Sequence, residues 1–192
     1  MTYLIVLLLL LASLFLPQLW VQRVLARYNR QAEPNFPGTG GELAQHLLRR
    51  FGLDEVRVES TEAGDHYDPA ARCVRLTADK LEGKTLTAIT VAAHECGHAL
   101  QHAGAEPMFV LRSRLASSAA WAARLGSFLI FVAPMVGLLS RAPSPALLSV
   151  LGGFLVMGFG VLVQLVTLPV ELDASFRKAL PVLEAGYLQP EQ

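Results

Sequence analysis

Residues 91–102 read VAAHECGHALQH, and this stretch decides how the rest of the chain is interpreted. His94, Glu95 and His98 match the pattern H-E-x-x-H. Four residues are about one helical turn, so on a helix both imidazoles project from one face and can reach one metal ion. Glu95 lies beside that face, where its carboxylate can take a proton from a water at the metal without ligating it. The pattern therefore predicts a helix that carries two zinc ligands and a general base.

Two histidines leave a catalytic zinc site incomplete, because such a site usually has three protein ligands and an open position for water. His102 continues the four-residue spacing, but three successive turns spread their side chains over about 12 Å, too far for one ion. Cys96 lies on the opposite face of the helix and is predicted to be a packing residue. The remaining candidates for the third ligand are His66, Glu171 and Asp173.

Two helices are predicted around this motif. The motif helix begins near Thr85 and ends near His102, before an Ala-Gly pair. Thr39 and Glu42 have the spacing of a capping box, in which each side chain bonds the other residue's backbone N–H. They predict the start of an amphipathic helix that ends near Gly52.

Between these helices, residues 56–60 and 73–77 alternate in polarity as strands do. They predict a two-stranded antiparallel ribbon, with His66 and Tyr67 in its connection. We expect the second strand to offer its edge to an extended peptide. His66 or Tyr67 can stabilise the oxyanion of a tetrahedral intermediate if it lies near the zinc. The equally weighted alternative is an ordinary turn in which Asp68 caps the backbone.

The composition points to membrane-spanning segments. Hydrophobic residues make up 53% of the chain and charged residues only 17%, whereas an average soluble domain has about 25% charged residues. Residues 1–20 carry no charge and are long enough to cross a bilayer as a helix. A cleaved signal peptide is disfavoured, because there is no basic n-region and no clear A-x-A site. Residues 119–170 hold two more apolar runs around a turn at 141–145 and predict a transmembrane hairpin.

That hairpin returns the chain to the side of the bilayer on which the motif helix lies, and Glu171 follows the last apolar run directly. A carboxylate at this place is costly unless it has a partner, so we favour Glu171 as the third ligand. Basic residues near the membrane ends indicate orientation, because they are enriched on the cytoplasmic side. One side collects Arg23, Arg27, Arg30, Arg112, Arg114, Arg124, Arg177 and Lys178, and the other has Arg141. Residues 21–118 and the tail are therefore expected in the cytoplasm.

The chain resembles the YugP family of neutral zinc metallopeptidases, which are integral membrane proteins of bacteria. The resemblance rests on three blocks in the family's order: VAAHECGHALQH, GDHYDPAARCVRLT and QLVTLPVELDASFRKAL. The segment from Glu171 is also similar to HtpX-type and CAAX-processing membrane proteases, in which the glutamate of an E-x-x-A-D pattern completes the zinc site. This similarity implies zinc ligation by Glu171, although Ser175 stands where that pattern has aspartate. Family members usually continue into a further apolar segment, whereas this sequence stops at Gln192.

We therefore predict a mainly α, membrane-embedded protein in four parts. A transmembrane helix covers residues 1–20, and a small α+β, zincin-like cytoplasmic catalytic domain covers residues 21–118. A transmembrane helical hairpin covers residues 119–170, and a tail over residues 171–192 bears the third zinc ligand.

The predicted function is that of a zinc endopeptidase in the bacterial inner membrane, with its catalytic domain in the cytoplasm. His94, His98 and Glu171 hold one zinc ion, and Glu95 is the general base. The expected partners are a peptide or membrane-protein substrate and the lipid bilayer. Nucleic acid is not expected, because 16 basic and 16 acidic residues leave no net charge.

Two alternatives stay open at this point. In one, the motif helix lies within the bilayer, as in site-2-type intramembrane proteases, and Asp173 is a ligand. In the other, the protein is a non-catalytic membrane scaffold stabilised by a closed zinc site with His66 as fourth ligand. A structural site has no use for a base at Glu95, which argues against the scaffold.

Overall fold

The computed structural model describes residues 2–32, 36–141 and 143–186. Within them the chain is mainly helical, with one small sheet. The elements in chain order are α1 (Thr2–Asn29), α2 (Gly40–Arg50), β1 (Arg57–Ser60), β2 (His66–Asp68), β3 (Cys73–Leu76), α3 (Ala78–Leu81), α4 (Leu86–Ala103), α5 (Pro107–Ser140), α6 (Pro143–Leu172), a π-helix (Asp173–Ala179) and α7 (Leu180–Glu184). One compact unit comprises the described residues up to Leu100 together with those from Phe176, and the other comprises those from Gln101 to Ser175.

The capping box predicted for α2 is confirmed. The Glu42 backbone N–H donates to Thr39 Oγ1 at 3.2 Å, and the Thr39 N–H donates to Glu42 Oε2 at 2.8 Å. The helix buries its apolar face, with Leu43 and Leu47 almost fully enclosed. It ends at Arg50, and Gly52 follows with a φ of +69°, a backbone conformation that glycine adopts without a steric penalty.

The predicted antiparallel ribbon is wrong. The sheet has three strands in the order β1-β3-β2, with β1 parallel to β3 and β2 antiparallel to β3. The connection between the two predicted strands is about a dozen residues long, enough for the crossover that a parallel pair needs, and it contains β2. Because β3 is central and paired on both sides, it has no free edge for a peptide, and that expectation is wrong as well.

A glycine of α2 and two threonines hold the start of α4 against its neighbours. A Cβ added to Gly40 would lie 2.8 Å from the Ala88 carbonyl oxygen, so only glycine allows α2 to begin this close to α4. Thr87 Oγ1 donates to the Leu25 carbonyl of α1 at 2.8 Å, and Thr85 Oγ1 donates to Asn29 Oδ1 at 2.8 Å. These bonds join the start of the motif helix to the end of α1, which extends beyond the predicted boundary at residue 20.

In the second unit, α5 and α6 form an antiparallel pair. Gly153 of α6 lies against α5 so closely that an added Cβ would be 2.6 Å from Ile130 Cγ1. Near the turn, a Cβ added to Gly137 would be 3.0 Å from the Ala146 Cβ. Small residues thus set the distance between the two helices, as in helix pairs within membranes.

Two helices among the described residues are long and apolar enough to cross a membrane, over Pro107–Ser140 and Ser144–Glu184. They correspond to the predicted hairpin, although α5 begins at Pro107, well before residue 119. Its 34 residues are about 51 Å long, which exceeds the roughly 30 Å of a bilayer's hydrocarbon core. Helix α1 is observed, and its crossing of a membrane stays a prediction. The four domain boundaries stay predictions too.

Candidate metal centre

The H-E-x-x-H residues lie on α4, a helix as the sequence predicts. The His94 and His98 rings have their centroids 4.6 Å apart and stand nearly perpendicular, at 78°. His98 is buried with 4% of its surface exposed, and Glu95 is buried with 7%. The helix therefore presents two neighbouring imidazoles, with a carboxylate shielded from most solvent beside them.

The opposite face of α4 is a packing surface, as predicted for Cys96. Its thiol is 2% exposed and donates to the Ala44 carbonyl of α2 at 3.7 Å. Burial raises the pKa of the Cys96 thiol above its ordinary value, as is usual for a cysteine in an apolar packing position. Ala92 and Ala99 are also buried and let neighbouring elements approach this helix closely.

Glu171 lies in the last turn of α6 rather than in a tail after it. Its Oε1 is 2.8 Å from Nη2 of Arg112 on α5, and about a third of each side chain is exposed. The α-helix ends at Leu172, where the backbone widens into the π-helix. Such widened turns occur frequently at functional sites.

His94 and His98 on α4 supply two imidazoles, and Glu171 on α6 supplies a carboxylate. Two imidazoles and a carboxylate are the donor set of many catalytic zinc sites, so the chemistry of these three side chains fits zinc. The ligand role of Glu171 stays a prediction.

The residues of β2 do not join that group. His66 Nδ1 lies 2.8 Å from the Gly64 carbonyl oxygen. Tyr67 is opposite the fully buried Val74 in the strand register, and burial raises the pKa of its hydroxyl. Neighbouring residues of a strand face opposite sides of the sheet, so His66 and Tyr67 cannot both line one site. Their predicted contacts with substrate stay a prediction.

Asp68, at the end of β2, forms the turn that the sequence offered as the alternative. Its Oδ1 accepts from the backbone N–H groups of Ala70 and Ala71 at 2.9 and 3.1 Å. The Ala71 N–H bond is the main cause that lowers the pKa of this carboxyl, and the nearby Arg75 guanidinium adds to the effect. The role of this residue is therefore structural.

The sequence did not single out Gln101. Its side chain is 1% exposed, and Nε2 donates to the Val170 carbonyl and to Asp173 Oδ2, each at 2.9 Å. The available signal was its spacing, because it lies seven residues after His94 and so on the same helical face. His102, predicted to be a helix-end residue, lies beside the Phe109 ring with centroids 5.6 Å apart.

Comparisons with known proteins agree with this chemistry. A family model described as "Putative neutral zinc metallopeptidase" matches residues 2–192. The chain is 33% identical over 183 residues to a Bacillus subtilis protein named "Putative membrane protease YugP", covering 91% of this chain and 75% of that protein. No solved structure matches significantly.

Proposed function

This chain belongs to the neutral zinc metallopeptidase family, and from that premise we propose that it is a membrane-bound endopeptidase with a single zinc ion. His94, His98 and Glu171 hold the metal, and Glu95 is the general base. The observation that carries the proposal is the pair of adjacent imidazoles on α4, with ring centroids 4.6 Å apart, next to a buried glutamate. The expected substrate is a peptide or a segment of a membrane protein.

Each residue has a distinct task in hydrolysis. When bound, zinc polarises the scissile carbonyl and lowers the pKa of water to near neutrality. Glu95 accepts the proton of the attacking water at its carboxylate and returns it to the nitrogen of the leaving amine. Because Glu95 is 7% exposed, few solvent molecules compete for this proton. His94 and His98 are held by one rigid helix, which keeps their separation constant during turnover.

The membrane location is supported by α5 and α6. Large apolar side chains on these helices are exposed, with Trp121 at 71%, Phe131 at 78% and Leu138 at 80%. Apolar surface of this extent is costly in water and is stabilised by lipid. The relative's name includes the word membrane. The excess of basic residues on one side supports a bacterial inner-membrane protein whose catalytic domain faces the cytoplasm.

The test measures zinc content and peptide cleavage by the full chain purified in detergent. Glu95→Gln keeps the ligands and removes the base, so we expect bound zinc and cleavage reduced by about 10²- to 10⁴-fold. Glu171→Ala removes a ligand, so both zinc and cleavage should be lost. Glu62→Gln, an exposed glutamate outside the site, is the matched control and should behave as wild type.

Two results contradict the proposal. Wild-type cleavage by Glu95→Gln would remove the proposed base and favour another mechanism. The scaffold alternative would be favoured by two results together. The purified protein would bind zinc without cleaving any protein, and cells that carry Glu95→Gln would behave as wild-type cells do.

A further inference from the structure

Gln101 connects the motif helix to the segment that carries Glu171. Its Nε2 has two hydrogens, and they are directed to the Val170 carbonyl oxygen and to Asp173 Oδ2, both at 2.9 Å. These two acceptors flank Glu171, one residue before it and two residues after it. The amide therefore bonds the backbone before the proposed ligand and a side chain after it.

Gln101 lies on the same face of α4 as the two histidines. His94, His98 and Gln101 are spaced i, i+4 and i+7, so they form one stripe along a single continuous helix. The residue that bonds the Glu171 segment therefore belongs to the same helix as the two proposed histidine ligands. The bonds of Gln101 thus hold the segment that carries the proposed third ligand, and Gln101 is itself outside the ligand set.

Because Gln101 is buried, breaking its two hydrogen bonds is costly. Gln101 is 1% exposed and Val170 is 3% exposed, so water cannot readily replace the lost partners. Removing the amide would leave a buried carbonyl oxygen and a carboxylate oxygen without this donor. Asp173 is also the first residue of the π-helix, so the second bond lies where the turn widens.

We propose that Gln101, together with Asp173, is a positioning residue that fixes the Glu171 carboxylate for metal binding. This inference rests on the proposed function, because it takes Glu171 as the third ligand. It assigns Asp173 to the support of the ligand rather than to the metal. The role of the pair is geometric, so it affects how well the metal is held and not the proton transfer at Glu95.

The experiment uses the full chain in detergent, stripped of metal, and measures zinc affinity by competition with a chromophoric chelator. Gln101→Leu preserves the approximate volume and removes both bonds. Outer partners of metal ligands typically contribute about 10- to 100-fold to affinity, and we expect a loss in this range. Gln45→Leu, at an exposed glutamine of α2, is the matched control and should keep wild-type affinity.

A second measurement does not depend on the metal. Amide hydrogen exchange in residues 168–175 of the metal-free protein should be faster in Gln101→Leu than in wild type, while exchange in α2 should be unchanged. Faster exchange in both regions would show general loss of structure and would overturn the proposal of a local positioning role.

Variants that add or remove a negative charge at positions 101 and 173 test whether Gln101 acts through its hydrogen bonds or only through its volume. Gln101→Glu places a carboxylate against Asp173 and the Val170 carbonyl, so zinc affinity should fall further than in Gln101→Leu. Adding Asp173→Asn restores one N–H···O bond between positions 101 and 173, and partial recovery is expected. Equal affinities for Gln101→Glu and the double variant would overturn the role of Asp173.

The same assay distinguishes failure of this inference from failure of the proposed function. If Glu171→Ala loses zinc while Gln101→Leu binds it as wild type does, the ligand stands and the positioning role is wrong. If Glu171→Ala keeps wild-type affinity, the third ligand is wrong and the positioning inference fails with it.

Discussion

Arg112 and Glu171 form an ion pair with 2.8 Å between Nη2 and Oε1. Arg112 lies on α5, and Glu171 lies in the last turn of α6. A carboxylate with a fixed guanidinium partner has fewer accessible orientations, and its second oxygen can serve as a metal ligand. The pair therefore restrains the proposed ligand at one carboxylate oxygen, whereas Gln101 bonds the Val170 backbone before it and the Asp173 side chain after it.

Replacing Arg112 by methionine should weaken zinc binding by about tenfold, because partners that orient a ligand typically contribute 10- to 100-fold to affinity. A solvent-accessible pair is expected at the lower end of that range. Arg124→Met removes an exposed arginine on the same helix and should have no effect. Chelator competition on the metal-free protein measures both variants. Tighter zinc binding in Arg112→Met would mean that the guanidinium competes with the metal instead of orienting its ligand.

Two adjacent glycines of α6 test how closely α5 and α6 are packed. A Cβ at Gly153 would lie 2.6 Å from Ile130 Cγ1 and 2.9 Å from the Gly126 carbonyl oxygen. Gly153→Ala should destabilise the protein by about 1–3 kcal/mol, the usual cost of overpacking. At Gly152 an added Cβ has no atom within 4 Å, so Gly152→Ala should be neutral or stabilising.

Thermal unfolding in detergent measures both glycine variants. A lower melting temperature for Gly153→Ala alone is the expected result. If both variants melt at the same temperature, the close helix approach contributes nothing measurable to stability.

Asp79 is expected to make the stability of the fold depend on pH in the acid range. A hydrogen bond from Lys80, and further ones from Thr77 and Asn29, lower the pKa of its carboxyl from 3.8 to about 2. A lowered pKa stabilises the fold while the group is ionised, so this contribution is complete above about pH 4 and is lost as the pH falls towards 2. Asp79→Asn should therefore flatten the melting temperature against pH in that window, whereas Asp54→Asn, at an exposed carboxylate, should leave it unchanged. The same slope in Asp79→Asn and wild type would assign the acid sensitivity to other groups.

Local patterns were the features that the sequence predicted well. The helical position of His94 and His98 follows from a four-residue spacing, and the cap at Thr39 follows from a three-residue one. Both involve interactions within one helical turn, which depend little on the rest of the chain. The two long apolar helices were predictable because a long uncharged run has few other structures available to it.

Pairings between distant segments were harder to predict. Two alternating segments suggested a ribbon, since alternation shows that a segment is a strand without indicating its partner or direction. The short strand of His66–Asp68 lay within what resembled a turn, and it changed the sheet from two antiparallel strands to three. The bonds of Gln101 reach 69 and 72 residues along the chain, and no local pattern encodes contacts of that separation.

By itself, the sequence determined the helix that carries His94, Glu95 and His98, the long apolar segments and family membership, and it predicted Glu171 as a third ligand. Tertiary structure alone decided which distant residues come into contact. It made β3 central, brought Arg112 to Glu171, and directed the Gln101 amide to both sides of that glutamate. The physical reason is that helix periodicity and apolar length are properties of neighbouring residues. A buried hydrogen bond or an ion pair exists only when packing brings distant groups within about 3 Å.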